Sequence, residues 1–255
     1  MLKQYDILWG NVHLRSAEQI KAHLDKDRNL SRYRDTADFI EGDYVLDVGC
    51  GEGIITKYAS SKAKKVLALD TSPNAIDVAR DFSSSFNIEY CVGDIFTIHF
   101  TDNTFDCVIF TEIIEHLSDP VRHLKEIHRI LKPNGYLIIS TPNALSYNRI
   151  GNYLLSFWFG NKKKMAEYTA AIDREERGTG TDLDHIFCWT FDTLYRLLSR
   201  NGFRYVDHKF SAFYPFVCYL KGIRVSLFGD SELCWLAPFV RGFSDVIIFK
   251  VKAIK

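Results

Sequence analysis

The sequence predicts an α/β protein with a mostly parallel β-sheet that carries helices on both faces. Apolar runs of strand length alternate with amphipathic segments of helix length between residues 44 and 141. A glycine-rich turn follows the first predicted strand directly, and an acidic residue ends the second. In doubly wound sheets these two positions are neighbours at the carboxyl ends of the strands, where ligands bind.

The strands of this predicted sheet are short runs rich in β-branched and aromatic residues, bounded by turn residues. There are seven of them, at residues 44–48, 65–69, 88–92, 105–110, 135–141, 203–210 and 245–252. Helices are predicted at residues 54–61, 73–84, 119–131 and 190–201, and two more lie within residues 14–40. Pro73 is expected in a first helical turn and Pro133 just past a helix end, which are ordinary places for proline.

The alternation of strands and helices divides the chain into four parts. Residues 1–43 are predicted to be N-terminal helices, and residues 44–141 the ligand-binding half of the core. The pattern breaks in residues 142–184, where an aromatic stretch, a charged stretch and a Gly-Thr-Gly-Thr sequence follow one another; we expect a helical lid insertion there. Residues 185–255 are predicted to complete the core, with an apolar insertion at residues 213–240.

Composition narrows the classes of function. The 255 residues are 47% hydrophobic, and 32 basic residues balance 32 acidic ones, so disorder is excluded and nucleic acid is a disfavoured partner. The six cysteines form no Cys-x-x-Cys pair, as expected in a reducing compartment. No signal segment or transmembrane run is recognisable, which predicts a cytoplasmic protein. The apolar segments 213–220 and 233–240 leave peripheral membrane contact open.

The glycine-rich turn has the sequence Val-Leu-Asp-Val-Gly-Cys-Gly-Glu-Gly at residues 45–53. Glycines at positions 49, 51 and 53 leave the backbone bare, so that a ligand can lie against its amide groups. The spacing differs from the Gly-x-Gly-x-x-Gly of dinucleotide sites, and no Gly-Lys-Ser/Thr follows to make a P-loop. Asp70 lies about twenty residues later, where such folds place the carboxylate that binds ribose hydroxyls.

These residues resemble the class I S-adenosylmethionine-dependent methyltransferases over roughly residues 40–210. Residues 91–95, 105–110 and 131–137 are similar to later motifs of the same family, in the family's order. The resemblance implies a Rossmann-like seven-stranded fold and S-adenosyl-L-methionine as cofactor. It also implies that the glycine turn holds the methionine part, Asp70 the ribose and Asp94 the adenine amino group, while Ile95 packs on the adenine ring. The expected cofactor-binding residues are Asp47, Gly49, Cys50, Gly51, Gly53, Asp70, Thr71, Asp94, Ile95, Thr111 and Tyr33.

Tyr33 belongs to this set for a separate reason. Together with Arg32 and Arg34 it could reach the carboxylate of the cofactor from an N-terminal helix. An amphipathic helix with solvated arginines is the alternative interpretation.

Candidate catalytic residues follow the fourth strand and the lid. Glu112, His116 and His185 are predicted to approach the reacting methyl group, with His185 as general base because its unperturbed pKa is near neutrality. A structural histidine is the alternative. Glu112, Glu115, His116 and His185 also resemble the metal site of small-RNA 2′-O-methyltransferases, but the Glu-His pair equally resembles quinone-biosynthesis O-methyltransferases, and we expect no metal.

The sequence therefore predicts O-methylation of a small-molecule acceptor, which could be a metabolite, a quinone precursor or a glycan unit. A metal-dependent RNA 2′-O-methyltransferase is one alternative. A non-catalytic module that only binds S-adenosylmethionine is another, because a fold does not fix a function. The acceptor and the oligomeric state do not follow from the sequence.

Overall fold

The structure is a computed structural model that describes residues 16–20, 30–146, 150, 186–211, 217–220, 223–226 and 244–255. Its main sheet has seven strands, which are β1 Tyr44–Val48, β2 Lys65–Asp70, β3 Ile88–Val92, β4 Phe105–Thr111, β5 Leu131–Pro142, β6 Phe203–Ser211 and β9 Val246–Ala253; β7 Val217–Leu220 and β8 Ile223–Ser226 form a separate pair. The order of the strands in the sheet is β3-β2-β1-β4-β5-β9-β6. Strands β1 to β5 run parallel, whereas β9 is antiparallel to its neighbours β5 and β6.

Five helices and one 3₁₀ turn accompany these strands in the described part of the chain. Side-chain caps mark the starts of three of them: Ser72 accepts from the amide of Ala75, Asp119 from that of Arg122, and Thr190 forms a capping box with Thr193. The helices are α1 Leu30–Asp38, α2 Ile54–Ser60, α3 Pro73–Phe82, α4 Pro120–Ile130 and α5 Phe191–Arg200, and the 3₁₀ turn is Ile114–His116. Residues 17–20 are helical as well.

The core lies on both faces of the sheet because successive residues of a strand point to opposite faces. Leu46 packs in the same apolar cluster as Leu124 and Ile127 of α4. The adjacent Val45 packs in a second cluster, with Ile40 beyond the end of α1. Both faces of β1 are therefore buried, which explains why its sequence is continuously apolar apart from one acid.

The predicted fold class is confirmed, and most element bounds agree within one or two residues. The clearest difference is β5, which begins at Leu131 instead of residue 135. Leu131 pairs with Phe105 at the start of β4, and the register then shifts, so that residues 132–135 are accommodated within the strand. The left-handed backbone of Asn134 (φ 64°) fits this irregularity, because asparagine tolerates that conformation.

The two predicted insertions lie almost wholly outside the described residues, so their boundaries stay predictions. Within the apolar insertion the structure describes one antiparallel pair, β7 Val217–Leu220 and β8 Ile223–Ser226. Among the described residues, no helix combines the length and the apolar character needed to cross a membrane. The cytoplasmic location stays a prediction.

Candidate active site at the carboxyl ends of the strands

The turn after β1 has left-handed backbone at all three of its glycines, with φ angles of 67°, 52° and 78°. Two of them are needed for close packing: a Cβ on Gly49 would lie 2.5 Å from Cδ1 of Ile113, and one on Gly53 2.9 Å from Cβ of Ala79. A Cβ on Gly51 would meet no atom within 4 Å. The space above Gly51 is therefore open in the part of the chain that the structure describes, and a side chain there would fill it.

Asp70 faces this turn from the end of β2. Its Oδ2 accepts a hydrogen bond from the amide of Gly51 at 2.8 Å, and its Oδ1 accepts one from the amide of Ser72 at 2.9 Å. Burial raises the pKa of Asp70, while these backbone donors oppose the rise. The carboxylate is thus oriented beside the open space at Gly51, and Thr71 follows it as a half-buried residue.

Asp47 lies in the interior, with only 1% of its surface exposed. Its Oδ2 accepts a hydrogen bond of 2.6 Å from the hydroxyl of Thr56 in α2. Burial raises the pKa of Asp47 to about 7, although the Thr56 hydrogen bond lowers it and the charge of Asp70 raises it further. The sequence analysis missed Thr56, because one threonine in an apolar helix gives no signal until the fold places it against Asp47.

Cys50 is a buried residue of the same turn. Its amide donates to the carbonyl of Leu69 at 2.8 Å, which joins the turn to β2. Burial raises the pKa of the thiol well above its usual value, and the nearby Asp47 and Asp70 add to the effect. The side chain is therefore a neutral packing group rather than a nucleophile.

Asp94 and Ile95 follow β3 at the same edge of the sheet. The Oδ1 of Asp94 accepts hydrogen bonds from the amides of Phe96 and Thr97, at 2.7 and 2.8 Å. The side chain of Ile95 is 1% exposed and belongs to the core cluster. The proposed contacts of both residues with adenine stay predictions.

Glu112 is held where β4 ends, next to Thr111. Its Oε1 accepts a hydrogen bond of 2.7 Å from the hydroxyl of Ser140 in β5, and its amide donates to the carbonyl of the same serine. The backbone of Glu112 is left-handed, with φ 55°. A glutamate in this conformation carries strain that the surrounding structure must maintain, which is common at functional sites.

Glu115 and His116 lie in the 3₁₀ turn that follows. Glu115 is 1% exposed, and its Oε2 accepts a hydrogen bond of 3.0 Å from the hydroxyl of Thr141. The Nε2 atom of the half-buried His116 lies 3.9 Å from Oε1 of Glu115.

The two carboxylates are held by successive residues of β5, whose side chains point to opposite faces of the sheet. The hydrogen bond to Ser140 therefore orients Glu112 toward one face of the sheet, and the hydrogen bond to Thr141 orients Glu115 toward the other. Among the described residues, no group of three or more His, Cys, Asp or Glu side chains could hold a metal ion. His185, the fourth candidate ligand and the predicted base, lies outside the described residues.

Trp189 is a further residue of this region that the sequence analysis missed. It forms a parallel bridge with Asn143, just beyond β5, and its carbonyl accepts from the amide of Ala144. Its indole Nε1 is buried with no hydrogen-bond partner in the described part of the chain. A tryptophan in a loop gave no signal in the sequence, because only the fold brings it beside the end of β5.

Tyr33 lies in α1 and packs against the apolar cluster of Ile20, Ile54 and Phe82. Ile54 is the first residue of α2, immediately after the glycine turn. The guanidinium of Arg32 stacks over its ring at 4.7 Å and donates to its hydroxyl at 2.7 Å. The structure therefore brings Tyr33 close to the turn that contains Gly53. Its contact with a cofactor stays a prediction.

Comparison with known proteins matches residues 46–139 to the methyltransferase domain family. Over 106 residues the chain is 35% identical to the ubiquinone biosynthesis O-methyltransferase of Coxiella burnetii, and the match covers 41% of this chain and 45% of that protein. It is 32% identical over 111 residues to the malonyl-[acyl-carrier protein] O-methyltransferase of Serratia marcescens, covering 44% and 43% of the two chains. The chain thus spans less than half the length of these curated relatives.

The fold is similar to that of the N-methyltransferase NodS from Bradyrhizobium japonicum, solved in complex with S-adenosyl-l-homocysteine. The TM-score is 0.54 at 15% sequence identity, and the similarity covers 91% of each chain. At this identity the likeness shows the fold alone. Residues 46–139 are thus similar to the methyltransferase domain family, and the sheet order, with the glycine turn facing Asp70, gives the chain the Rossmann-like fold of S-adenosylmethionine-dependent methyltransferases.

Proposed function

We propose that the protein transfers a methyl group from S-adenosylmethionine to a hydroxyl of a small molecule. The observation that carries this proposal is the open space above Gly51, directly beside the oriented carboxylate of Asp70. The similarity of residues 46–139 to methyltransferases, including the two O-methyltransferases compared above, supports the same reaction class.

The residues of the cleft suit this cofactor. A Cβ at position 51 would occupy space that is otherwise empty, as expected where a ligand must approach the backbone closely. Asp70 is half-buried at a strand end, and a carboxylate whose two oxygens each accept from one backbone amide can still accept hydrogen bonds from a pair of ribose hydroxyls. Asp94, at the end of the neighbouring strand, is the candidate for the adenine amino group.

When bound, the cofactor supplies an activated methyl group, so the protein must mainly align the acceptor, exclude water and remove a proton. Asp70, the glycine turn and Tyr33 would bind and orient the cofactor. Glu112, which Ser140 holds at the end of β4, would form one wall of the space for the acceptor. An acceptor oxygen becomes a better nucleophile as its proton leaves for a base within hydrogen-bond reach.

His185 and His116 are the two candidates for that base. His185 is the residue that the sequence favours, at the end of the predicted lid. His116 has structural support, because Oε1 of the buried Glu115 lies 3.9 Å from its Nε2. We propose His185 as the base and His116 with Glu115 as an electrostatic partner.

No observation among the described residues favours the metal-dependent RNA reaction. Glu112 and Glu115 are each bonded to a separate hydroxyl of β5, and those hydroxyls lie on opposite faces of the sheet. A small-molecule acceptor is therefore the better proposal. We expect its identity to depend on the two insertions.

The deciding experiment measures cofactor binding and methyl transfer together. Calorimetry with S-adenosylmethionine and S-adenosyl-l-homocysteine tests the cleft, and labelled S-adenosylmethionine with pools of phenols, catechols, carboxylic acids and short RNAs tests the acceptor. We expect micromolar cofactor binding and label in a hydroxyl-bearing small molecule. Binding without transfer to any pool would support the non-catalytic module, and label in RNA alone would refute the small-molecule proposal.

A further inference from the structure

Helix α1 is fixed to the sheet by an ion-pair cluster at the carboxyl end of β6. The Nζ atom of Lys209 lies 2.6 Å from Oδ2 of Asp38 and 3.4 Å from Oδ1 of Asp35. The hydroxyl of Ser211 donates to the other oxygen of Asp35 at 2.6 Å. Two residues of β6 thus hold two carboxylates of one helix, and we call these four residues the α1 latch.

Three residues of the latch are sheltered from solvent, whereas the side chain of the fourth, Asp38, is 64% exposed. The side chains of Lys209 and Asp35 are each 30% exposed, and Ser211 is 3% exposed. Lys209 also lies 5.2 Å above the ring of Phe39. The pKa of Asp38 is lowered by its hydrogen bond to Lys209, in keeping with a charged contact. Partly sheltered pairs that share one cation order two side chains at once, and so contribute more than an isolated exposed pair.

The opposite face of α1 carries the residues that approach the glycine turn. Tyr33 and Ala37 are four residues apart and therefore share one face of the helix, whereas Asp35 and Asp38 share another. Tyr33 packs against the apolar cluster of Ile20, Ile54 and Phe82, and Ile54 is the residue that follows Gly53. The helix consequently contacts both β6 and α2.

Strand direction explains why the end of β6 lies on the same side of the sheet as the glycine turn. Strand β6 is antiparallel to β9, which is itself antiparallel to β5, so β6 runs in the same direction as the cofactor-facing strands. Ser211 aligns with Val246, and Val246 with Pro142 at the end of β5. The latch therefore lies on the side of the sheet where the carboxyl ends of the parallel strands bind ligand, although the glycine turn is several strands away from it.

We propose that Lys209 and Ser211 are positioning residues for the cofactor, because the latch holds α1, and with it Tyr33, against the apolar cluster that contains Ile54, the residue after the glycine turn. This inference rests on the proposed function. Cofactor affinity then depends on the fraction of molecules in which α1 is docked, since only that fraction presents the complete cleft. The latch sets that fraction from a position that touches no part of the ligand itself.

The test compares Lys209→Met with two reference variants. Lys209→Arg keeps the charge and should restore binding. Lys132→Met is the matched control, because it removes an ion pair of the same 2.6 Å length, to Asp106, at the amino edge of the sheet. Affinity for S-adenosyl-l-homocysteine is measured by calorimetry, and hydrogen exchange over residues 30–38 is measured on the protein without ligand.

For Lys209→Met we expect a Kd about fivefold higher, as for the loss of a contact of roughly 1 kcal/mol, and faster exchange in α1. KM for S-adenosylmethionine should rise in parallel while kcat stays within about twofold, because the reacting groups are untouched. The Kd of Lys209→Arg should be close to that of the natural protein, and Lys132→Met should leave the Kd unchanged.

Unchanged affinity in Lys209→Met would overturn the latch while leaving the proposed function intact. An equal loss of affinity in Lys132→Met would also overturn it, because the effect would then come from general destabilisation. Failure of the natural chain to bind either S-adenosylmethionine or its demethylated product would refute the proposed function, and the role of the latch with it.

Discussion

The amide of Gly51 donates a hydrogen bond of 2.8 Å to Oδ2 of Asp70. The contact joins the turn after β1 to the end of β2, across nineteen positions of sequence. Together with the hydrogen bond from the amide of Ser72 to Oδ1, it orients the carboxylate, and it does so at the glycine of the turn where an added Cβ would meet no atom within 4 Å.

Replacing Asp70 should weaken cofactor binding more than it weakens the fold. Asp70→Ala removes a carboxylate that would accept two ribose hydroxyls, so we expect S-adenosylmethionine to bind about 2 kcal/mol less tightly. Calorimetry with the cofactor and its demethylated product measures this. Asp43→Ala is the control, since it removes an exposed carboxylate at the amino edge of the sheet. Equal affinity of Asp70→Ala and the natural protein would remove the assignment.

Gly51→Ala should separate the effect of backbone strain on stability from the effect of a filled ligand space on cofactor affinity. The new Cβ meets no protein atom, so the variant should fold, with a loss of about 1 kcal/mol from the left-handed backbone at this position. Cofactor affinity should fall at least tenfold, because the methyl group occupies space that the ligand needs. Thermal unfolding and calorimetry on one preparation give both quantities. A stability loss with full affinity would show that Gly51 serves only the turn.

Asp47 should make stability depend on pH near neutrality. Its pKa of about 7 is above the usual value, so the neutral carboxyl stabilises the fold. That contribution is fully present below about pH 4 and is lost as the pH rises through 7. The loss amounts to about 4 kcal/mol between pH 4 and pH 8. In Asp47→Asn this pH dependence should vanish, as measured by denaturant unfolding at several pH values. Parallel pH profiles of the two proteins would contradict the buried, neutral carboxyl.

Activity should resist chelation and should depend on His185. We expect full activity after treatment with a chelator, because Glu112 and Glu115 are each bound to a hydroxyl of β5. His185→Ala should lower kcat by about a hundredfold with cofactor affinity retained, as for loss of a general base. His123→Ala is the control, since His123 packs against Phe96 and its Nδ1 lies 2.9 Å from the carbonyl of Asp119. Activity that survives chelation and His185→Ala would leave alignment and desolvation as the sources of catalysis.

Glu112→Gln tests whether the charge at the end of β4 contributes to catalysis. The amide oxygen can still accept from Ser140, so the strained turn should keep its shape and the melting temperature should change little. We expect a lower kcat with an unchanged Kd for S-adenosyl-l-homocysteine. A kcat equal to that of the natural protein would restrict Glu112 to a structural role.

Much of the fold could be predicted because the signals are local. The strands were recognisable from apolar runs such as 44–48, since both faces of β1 are buried, and the start of α3 was recognisable from Pro73, which occupies its first turn. The glycine turn and Asp70 were recognisable from spacing. Each of these features depends on residues near one another in the chain.

The sequence by itself therefore determined the fold class, the glycine turn and the acid that faces it. Only the tertiary structure decided which groups pair across the sheet: Thr56 with Asp47, Ser140 with Glu112, Thr141 with Glu115, and Lys209 with α1. Strand order brings these partners together from distant parts of the chain, and a single threonine, serine or lysine has no local pattern that reveals its partner. Periodicity specifies which face a residue occupies, whereas the topology of the sheet specifies what lies opposite it.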